Sequence, residues 1–144
     1  MHPPGFLFIS IVAMIAVHFF LPGARLIATP WNALGAVALV FGAAWNVWAD
    51  QLFKRAQTTV KPDQQPSMLV TKGPYRFSRH PMYLGMIVIL VGVAVLLGSL
   101  TPFVIAGLFA LLMAVRFVPA EEGAMKRAFG EAWGEYSRRV RKWL

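Results

Sequence analysis

The chain has 144 residues, of which 58% are hydrophobic and 14% are charged, and it contains no cysteine. Soluble domains are about 25% charged and about 45–50% apolar, and a soluble domain of this length could not bury so much apolar surface. The composition also excludes a disordered chain. The formal net charge of +8 would suggest nucleic-acid binding in a soluble protein. Here the charges lie between long apolar runs, which is typical of a membrane protein.

The apolar runs predict an all-α protein with four membrane-spanning helices. The first run follows no Lys or Arg and has no clean cleavage site after it, which favours a retained span over a signal peptide. The uncharged stretch 82–115 would be about 50 Å long as one helix, whereas the hydrocarbon core is about 30 Å thick. It therefore breaks into two spans at the turn-forming residues 98–102. The predicted spans are residues 6–21, 31–53, 82–98 and 102–118.

The distribution of Lys and Arg predicts the orientation of this bundle. The loop between the first two spans contains only Arg25, and the loop between the last two contains none. All other basic residues follow span 2 or lie from the end of span 4 onward, so both basic segments and the N-terminus are expected at the cytoplasmic face of a bacterial inner membrane. These residues are Lys54, Arg55, Lys61, Lys72, Arg76, Arg79, Arg116, Lys126, Arg127, Arg138, Arg139, Arg141 and Lys142.

An amphipathic helix is predicted over residues 120–143, after the last span. Its apolar residues recur at intervals of three and four, which marks one stripe of a helix. The helix could lie on anionic lipid headgroups or close a site over the cytoplasmic mouth of the bundle, and the pattern fits both. The stripe consists of Met125, Phe129, Ala132, Tyr136, Val140 and Trp143.

The segment that leads into span 3 contains the densest group of residues capable of chemistry. Pro81 suits the first position of a helix, which places His80 at or near the N-cap. Free N–H groups at such an end attract anions, and Arg76 and Arg79 add positive charge. This helix start is a candidate site for a carboxylate or phosphate. The alternative, favoured by charge alone, is that the arginines anchor to lipid phosphates.

Two further groups of polar residues stand out. Glu121 and Glu122 follow span 4 and point about 100° apart on a helix, so we expect one to accept from a ligand and the other to pair with an arginine. The alternative is a solvated helix start. Asn46 and Asp50 share a face of span 2, and a structural or interfacial role is favoured for them. The histidines are scattered and predict no metal site.

Several of these residues form a set of short motifs in a fixed order. The set resembles the isoprenylcysteine carboxyl methyltransferases and the related phospholipid methyltransferases of membranes, and the resemblance covers residues 60–144. The motifs are Gly73-Pro74-Tyr75-Arg76, Arg79-His80-Pro81-Met82-Tyr83-Leu84-Gly85, Glu121-Glu122, Phe129-Gly130-Glu131 and Tyr136.

The resemblance implies an integral-membrane enzyme that binds S-adenosylmethionine without a Rossmann domain, under the C-terminal segment. A glutamate suits the ammonium of this cofactor, a basic helix start suits its carboxylate, and aromatic rings suit its adenine and sulfonium. Arg76, Arg79 and Glu121 are the candidate catalytic residues. The implied cofactor-binding residues are Leu69, Val70, Gly73, His80, Pro81, Tyr83, Gly85, Glu121, Glu122, Phe129 and Tyr136.

The expected function is methyl transfer to a lipophilic acceptor that reaches the site from the bilayer. The acceptor classes are an isoprenylcysteine-like carboxylate, a phospholipid amine and a small hydrophobic molecule; nucleic acid and metal are not expected. Two alternatives remain from the residues alone. The chain could be a non-enzymatic small membrane protein, or a scaffold that binds anionic lipid through its basic tail.

Overall fold

The computed structural model describes residues 2–56 and 67–144, and these residues form helices and loops without a β-strand. A single-turn 3₁₀ helix precedes each of the second and third α-helices, at Trp31–Ala33 and Gly73–Arg76. A π-helical turn at Met113–Phe117 joins the fourth α-helix to the fifth. Lys61, one of the basic residues counted above, lies outside the described residues. The α-helices are α1 (Pro3–Phe20), α2 (Leu34–Arg55), α3 (Pro81–Leu97), α4 (Leu100–Leu112), α5 (Val118–Phe129) and α6 (Glu131–Arg139).

Three stretches of the described chain are long and apolar enough to cross a bilayer: Pro3–Phe20, Trp31–Arg55 and Leu100–Phe129. The helix α3 is also apolar but has only 17 residues, or about 25 Å at 1.5 Å per residue. The predicted class, an all-α integral membrane protein, is therefore confirmed. One of the four predicted membrane spans corresponds to α3, which is shorter than a typical span.

The helices α2 and α3 pack with their backbones in contact. Glycines recur every seven residues on each helix, at 35 and 42 on α2 and at 85 and 92 on α3, so each pair lies on one face. A Cβ atom added to Gly92 would lie 2.6 Å from the backbone nitrogen of Leu39, and one added to Gly35 would overlap the carbonyl oxygen of Gly92. Small residues allow this close approach of membrane helices. The backbones of α2 and α3 are therefore in direct contact at these glycines.

The end of α3 is closed by a tight turn at the predicted break. Gly98 ends the helix with a φ of 75°, and α4 begins at Leu100. The carbonyl oxygen of Gly98 accepts from the backbone N–H of Leu26 at 2.8 Å, and His18 Nδ1 lies 2.7 Å from Ser99 Oγ. These bonds fix the loop after α1 to the turn between α3 and α4. That end of the bundle is therefore closed by polar contacts, and the opposite end is left for the site.

The C-terminal region differs from the single helix predicted over residues 120–143. The fifth helix continues α4, so that Leu100–Phe129 is one rod of 30 residues. Gly130 then interrupts the helix with a φ of 49°, a conformation that glycine adopts at little cost. The short helix α6 comes next, and Val140 is extended. Because the break rotates α6 relative to α5, Trp133 is buried and Ala132 is exposed, although the predicted stripe contained Ala132.

The backbone contact between α2 and α3 can be tested with glycine variants. We expect Gly35→Ala to lower the free energy of unfolding in detergent by about 1–3 kcal/mol, the usual cost of overpacking, because its new methyl group meets backbone of α3. Gly107→Ala is the matched control, since a Cβ there has no neighbour within 4 Å. Equal stability of the two variants would contradict the packing described here.

Candidate functional site

A cavity of about 280 Å³ lies at the end of the bundle where α1 begins, α3 begins and α5 begins. Its lining combines apolar side chains of three helices with a few polar groups. The lining residues are His2, Pro3, Pro4, Phe53, Tyr75, Arg79, His80, Pro81, Met82, Tyr83, Met86 and Glu121.

His80 lies at the centre of the polar wall and is almost completely buried. It is the N-cap of α3, as predicted, and its backbone N–H donates to Ser78 Oγ at 3.1 Å. Its two ring nitrogens face two different carboxylates. Nδ1 lies 3.5 Å from a Glu121 oxygen, and Nε2 lies 3.1 Å from a Glu122 oxygen. The two acids diverge from the helix as expected, and one imidazole ring spans both.

The two glutamates have different surroundings. Glu122 contacts Arg79 Nη1 at 3.1 Å and Lys142 Nζ at 3.4 Å, in addition to His80. The expectation that one of the two acids pairs with an arginine is confirmed. Glu121 has no Lys or Arg within ion-pair distance in residues 2–56 and 67–144, and it lines the cavity. Glu121 therefore faces the cavity, whereas Glu122 is held by its basic partners.

Arg79 is held by contacts on three sides. Its backbone N–H donates to the carbonyl oxygen of Arg141 at 3.0 Å, and its guanidinium carbon lies 5.8 Å from the centre of the Trp133 ring. The ion pair with Glu122 occupies Nη1. Its Nε is buried, and in the described part of the chain it has no hydrogen-bond partner. Arg79 thus presents one free donor at the wall of the site.

A narrow cleft adjoins the cavity beneath α6. It measures about 10 Å³, roughly the space of one water molecule. The cleft and the cavity share one wall, formed by Phe53, Tyr75, Arg79, His80 and Glu121. The cleft alone is also lined by Leu69, Val70, Met125, Trp133 and Tyr136.

Two tyrosines close the cleft. The hydroxyl of Tyr136 donates to the carbonyl oxygen of Tyr75 at 2.7 Å, which fixes α6 to the loop before α3. Burial raises the pKa of both phenols well above the ordinary value, and the negative charge of Glu121 raises that of Tyr75 further. Arg79 offsets only part of the rise in the pKa of Tyr136. Both hydroxyls therefore keep their protons, and that of Tyr136 is used in the bond to the Tyr75 carbonyl.

Most of the predicted site residues converge here. Those that line the cavity or the cleft are Leu69, Val70, Arg79, His80, Pro81, Tyr83, Glu121 and Tyr136. Glu122 contacts His80 from outside the cavity. Phe129 packs beside the buried cluster of Met125, Trp133 and Tyr136 without lining either space.

Three predicted residues lie elsewhere. Arg76 lies on an exposed groove of about 510 Å³ with residues of the outer side of α6, because the turn at Gly73–Arg76 buries Tyr75 and leaves Arg76 exposed. Gly73 faces α2, where a Cβ would lie 2.6 Å from a Leu52 carbon. Gly85 also faces α2. The structure therefore gives Arg76 no contact with the cavity.

Other residues of the site were not predicted from the sequence. Phe53 ends the apolar face of α2 and lines both spaces. Trp143 lies with its ring centre 6.2 Å from that of His80, and Lys142 contacts Glu122. His2, Pro3 and Pro4, at the start of α1, carry no sequence signal for a site, and only the fold places them at the cavity. Trp133 and Lys142 could have been found by asking which aromatic and basic residues follow the two acids.

The comparison with known families bears on the same segment. A family model described as phospholipid methyltransferase matches residues 31–132, a range that extends from the start of the second span to the beginning of α6. The match therefore includes the loop before α3, His80 and both glutamates. No curated protein and no solved structure matches the chain.

The hydrogen bond between α6 and the loop gives a direct test of how the cleft is closed. We expect Tyr136→Phe to leave the Tyr75 carbonyl unpaired and so to destabilise the docked α6 by about 1–3 kcal/mol. Hydrogen exchange of the α6 amides should become faster. Ser137→Ala removes a bond that stays within α6, to Gly134, and serves as the control. Equal exchange in the two variants would show that this bond does not hold the helix down.

Proposed function

The chain belongs to the phospholipid methyltransferase family, and we propose that it transfers a methyl group from S-adenosylmethionine to a lipophilic acceptor at the cytoplasmic face of the membrane. The observation that carries the proposal is the pair of adjoining spaces with one shared wall. A two-substrate transfer needs both reactants aligned across a short distance. The shared wall contains His80, Arg79 and Glu121, the same residues that the resemblance implicates.

The cleft beneath α6 has the side chains that the cofactor requires. Glu121, without a basic partner in the described residues, suits an ammonium group. The free Nε of Arg79 is a donor for a carboxylate. The rings of Trp133 and Tyr75 suit an adenine or a cation, an attraction worth about 0.5–2 kcal/mol. When bound, S-adenosylmethionine would supply an electrophilic methyl group on its sulfonium.

The closed cleft implies that α6 moves when the cofactor enters. Its volume of about 10 Å³ is far below the roughly 300 Å³ of small ligand pockets. The helix is joined to α5 through Gly130, and its side-chain bond to the loop is that of Tyr136 to Tyr75. Displacement of α6 about this glycine would open the cleft and leave the core of α1 to α4 unchanged. The sequence allowed two roles for the C-terminal region, binding to lipid headgroups and closing a site, and this movement corresponds to the second.

The chain's residues would serve mainly to position the reactants and exclude water. His80 hydrogen-bonds Glu122 through Nε2, and its Nδ1 lies 3.5 Å from a Glu121 oxygen without a hydrogen bond, so this nitrogen could pair with Glu121 or with a ligand. Glu122 fixes Arg79 on the opposite side of that ring. A carboxylate or an amine lone pair needs no strong acid to accept a methyl group, which agrees with a site that has no nucleophile–base pair.

The cavity of about 280 Å³ suits the lipophilic acceptor. Its walls include Pro3, Phe53, Met82 and Met86, so its interior favours apolar groups. The three acceptor classes named from the sequence all combine an apolar body with a small reactive end. We propose that the reactive end lies at the shared wall beside Glu121.

The placement of the chain ends supports the proposed orientation. His2 and the first two residues of α1 line the same cavity as Glu121, and the carbonyl oxygen of Arg141 near the C-terminus accepts a bond from the backbone N–H of Arg79. Both ends of the described chain thus lie at the site. Together with the concentration of Lys and Arg there, this supports a cytoplasmic location for the site.

Calorimetric titration with S-adenosylhomocysteine tests the cofactor assignment. We expect binding by the unmodified protein, and a fall in affinity of about tenfold or more for Glu121→Gln and for His80→Ala, as loss of a charge-assisted bond implies. Glu122→Gln should lower the unfolding temperature more than Glu121→Gln does, since Glu122 has two basic partners. No binding by the unmodified protein in detergent and in nanodiscs would contradict the proposal.

Transfer of labelled methyl groups tests the acceptor class. The probes are phosphatidylethanolamine vesicles, N-acetyl-S-farnesylcysteine and a total lipid extract. We expect label in at least one lipophilic product, and loss of that label with Glu121→Gln, whereas Arg76→Gln should leave it because Arg76 lies outside the cavity. Cofactor binding without label in any of the three would argue against a lipophilic acceptor.

A further inference from the structure

Two side chains of α2 hydrogen-bond the backbone of the first turn of α3, beside the cavity. The indole N–H of Trp45 donates to the carbonyl oxygen of Pro81 at 3.1 Å. The amide of Asn46, oriented so that both of its groups are paired, donates to the carbonyl oxygen of Met82 at 2.8 Å. Its oxygen accepts from the backbone N–H of Met86 at 3.1 Å. Two consecutive residues of α2 thus hold the start of α3.

The amide of Asn46 contacts two groups that a regular helix joins to each other. The N–H of residue 86 is the ordinary partner of the carbonyl of residue 82, four positions earlier. Neither group needs Asn46 to be satisfied, since the two can pair within α3. The side chain is therefore not required to rescue an unpaired backbone group in the membrane. Its effect is on the geometry of the turn.

Gly85 provides the space for this amide. A Cβ atom at position 85 would lie 2.6 Å from the nearer terminal atom of the Asn46 amide, and its three nearest atoms would all belong to the Asn46 side chain. The asparagine could not move away without losing both of its bonds to α3. Asn46 and Gly85 therefore fit each other, and the contact explains why Gly85 faces α2 and not the cavity.

We propose that Asn46 is a positioning residue for the acceptor cavity, a role that rests on the proposed function. Met82 and Met86, whose backbone it holds, line the larger cavity, as does Pro81. None of these three lines the cleft beneath α6. The side chain therefore shapes the wall against which the acceptor lies, and it leaves the proposed cofactor side untouched.

The kinetic test separates this role from a merely structural one. For Asn46→Ala we expect kcat/KM for the lipid probe that the unmodified protein methylates to fall about tenfold or more, as small misplacements do. Affinity for S-adenosylhomocysteine should stay within about twofold. The control is Asn32→Ala, which removes a comparable bond to α3, from Asn32 Nδ2 to the Leu96 carbonyl at 3.1 Å, at the far end of the bundle. It should leave both quantities unchanged.

The steric fit is tested separately by thermal unfolding, which needs no activity. Gly85→Ala should lower the unfolding temperature, and adding Asn46→Ala should restore most of the loss because the clashing atoms are gone. Gly92→Ala is the control: its methyl group would meet the backbone of Leu39 and Gly35, so Asn46→Ala should not rescue it. Additive losses in the double variant at 85 and 46 would overturn the fit.

The outcomes distinguish this proposal from the one it rests on. An active protein in which Asn46→Ala behaves like Asn32→Ala overturns the positioning role alone. A fall in S-adenosylhomocysteine affinity equal to the fall in kcat/KM also overturns it, because the effect would then be general. A protein that methylates none of the probes overturns the proposed function and the positioning role together.

Discussion

One carboxylate, that of Glu122, joins the three segments that build the site. It contacts Arg79 and His80, which lead into α3, and Lys142 of the C-terminal tail, while its own backbone belongs to α5. These segments are far apart in the sequence. The side chains of Arg79, His80 and Glu122 are mostly buried, and that of Lys142 is partly exposed. These contacts also set the geometry of the site: Glu122 is occupied by basic partners, whereas its neighbour Glu121 faces the cavity with no Lys or Arg at ion-pair distance among residues 2–56 and 67–144.

The membrane explains why the polar groups gather at one end. Backbone groups in the bilayer must pair within the protein, and α1 to α4 satisfy this with apolar helices whose contacts are close. The far end is sealed by short loop bonds, such as that from Leu26 to Gly98. Only at the other end do helix starts, arginines and acids meet. A cavity there has polar groups on one wall and apolar side chains on the others, which suits a polar cofactor and a lipophilic acceptor together.

The sequence predicted the parts of the site that depend on local chemistry. Pro81 marked the start of α3 and His80 its N-cap, and the divergence of adjacent helical residues separated the roles of Glu121 and Glu122. It did not predict features that depend on tertiary packing. The turn at Gly73–Arg76 leaves Arg76 exposed, although the residue type and spacing suited the cavity. The interruption of the helix at Gly130 depends on a backbone angle. The predicted apolar stripe runs across this position, so the pattern did not predict the interruption.

The polar residues of α2 are a second case in which the contacts depend on tertiary packing and could not be predicted from the sequence. Asn46 and Asp50 share a helix face in the sequence, and together they could have formed one polar site. In the structure Asp50 pairs with Lys54 along α2 at 2.5 Å, whereas Asn46 contacts α3. A spacing of four places two residues on one side of a helix, but the neighbouring helix decides which groups each one contacts. Gly85 was the sequence signal for the contact of Asn46 with α3, since a glycine leaves room for a side chain of the neighbouring helix.

The π-helical turn at Met113–Phe117 determines how the acids reach His80. Met113 and Val118 are both fully buried, although residues five apart on a regular α-helix lie about 140° from each other at 100° per residue. The wider turn, with its extra residue, brings both into the buried cluster that α1, α3 and α4 also form. It thereby sets the rotation of α5, and with it the direction of Glu121 and Glu122. A regular helix through this region would keep Met113 in the core and turn Val118 and the following acids away from the start of α3.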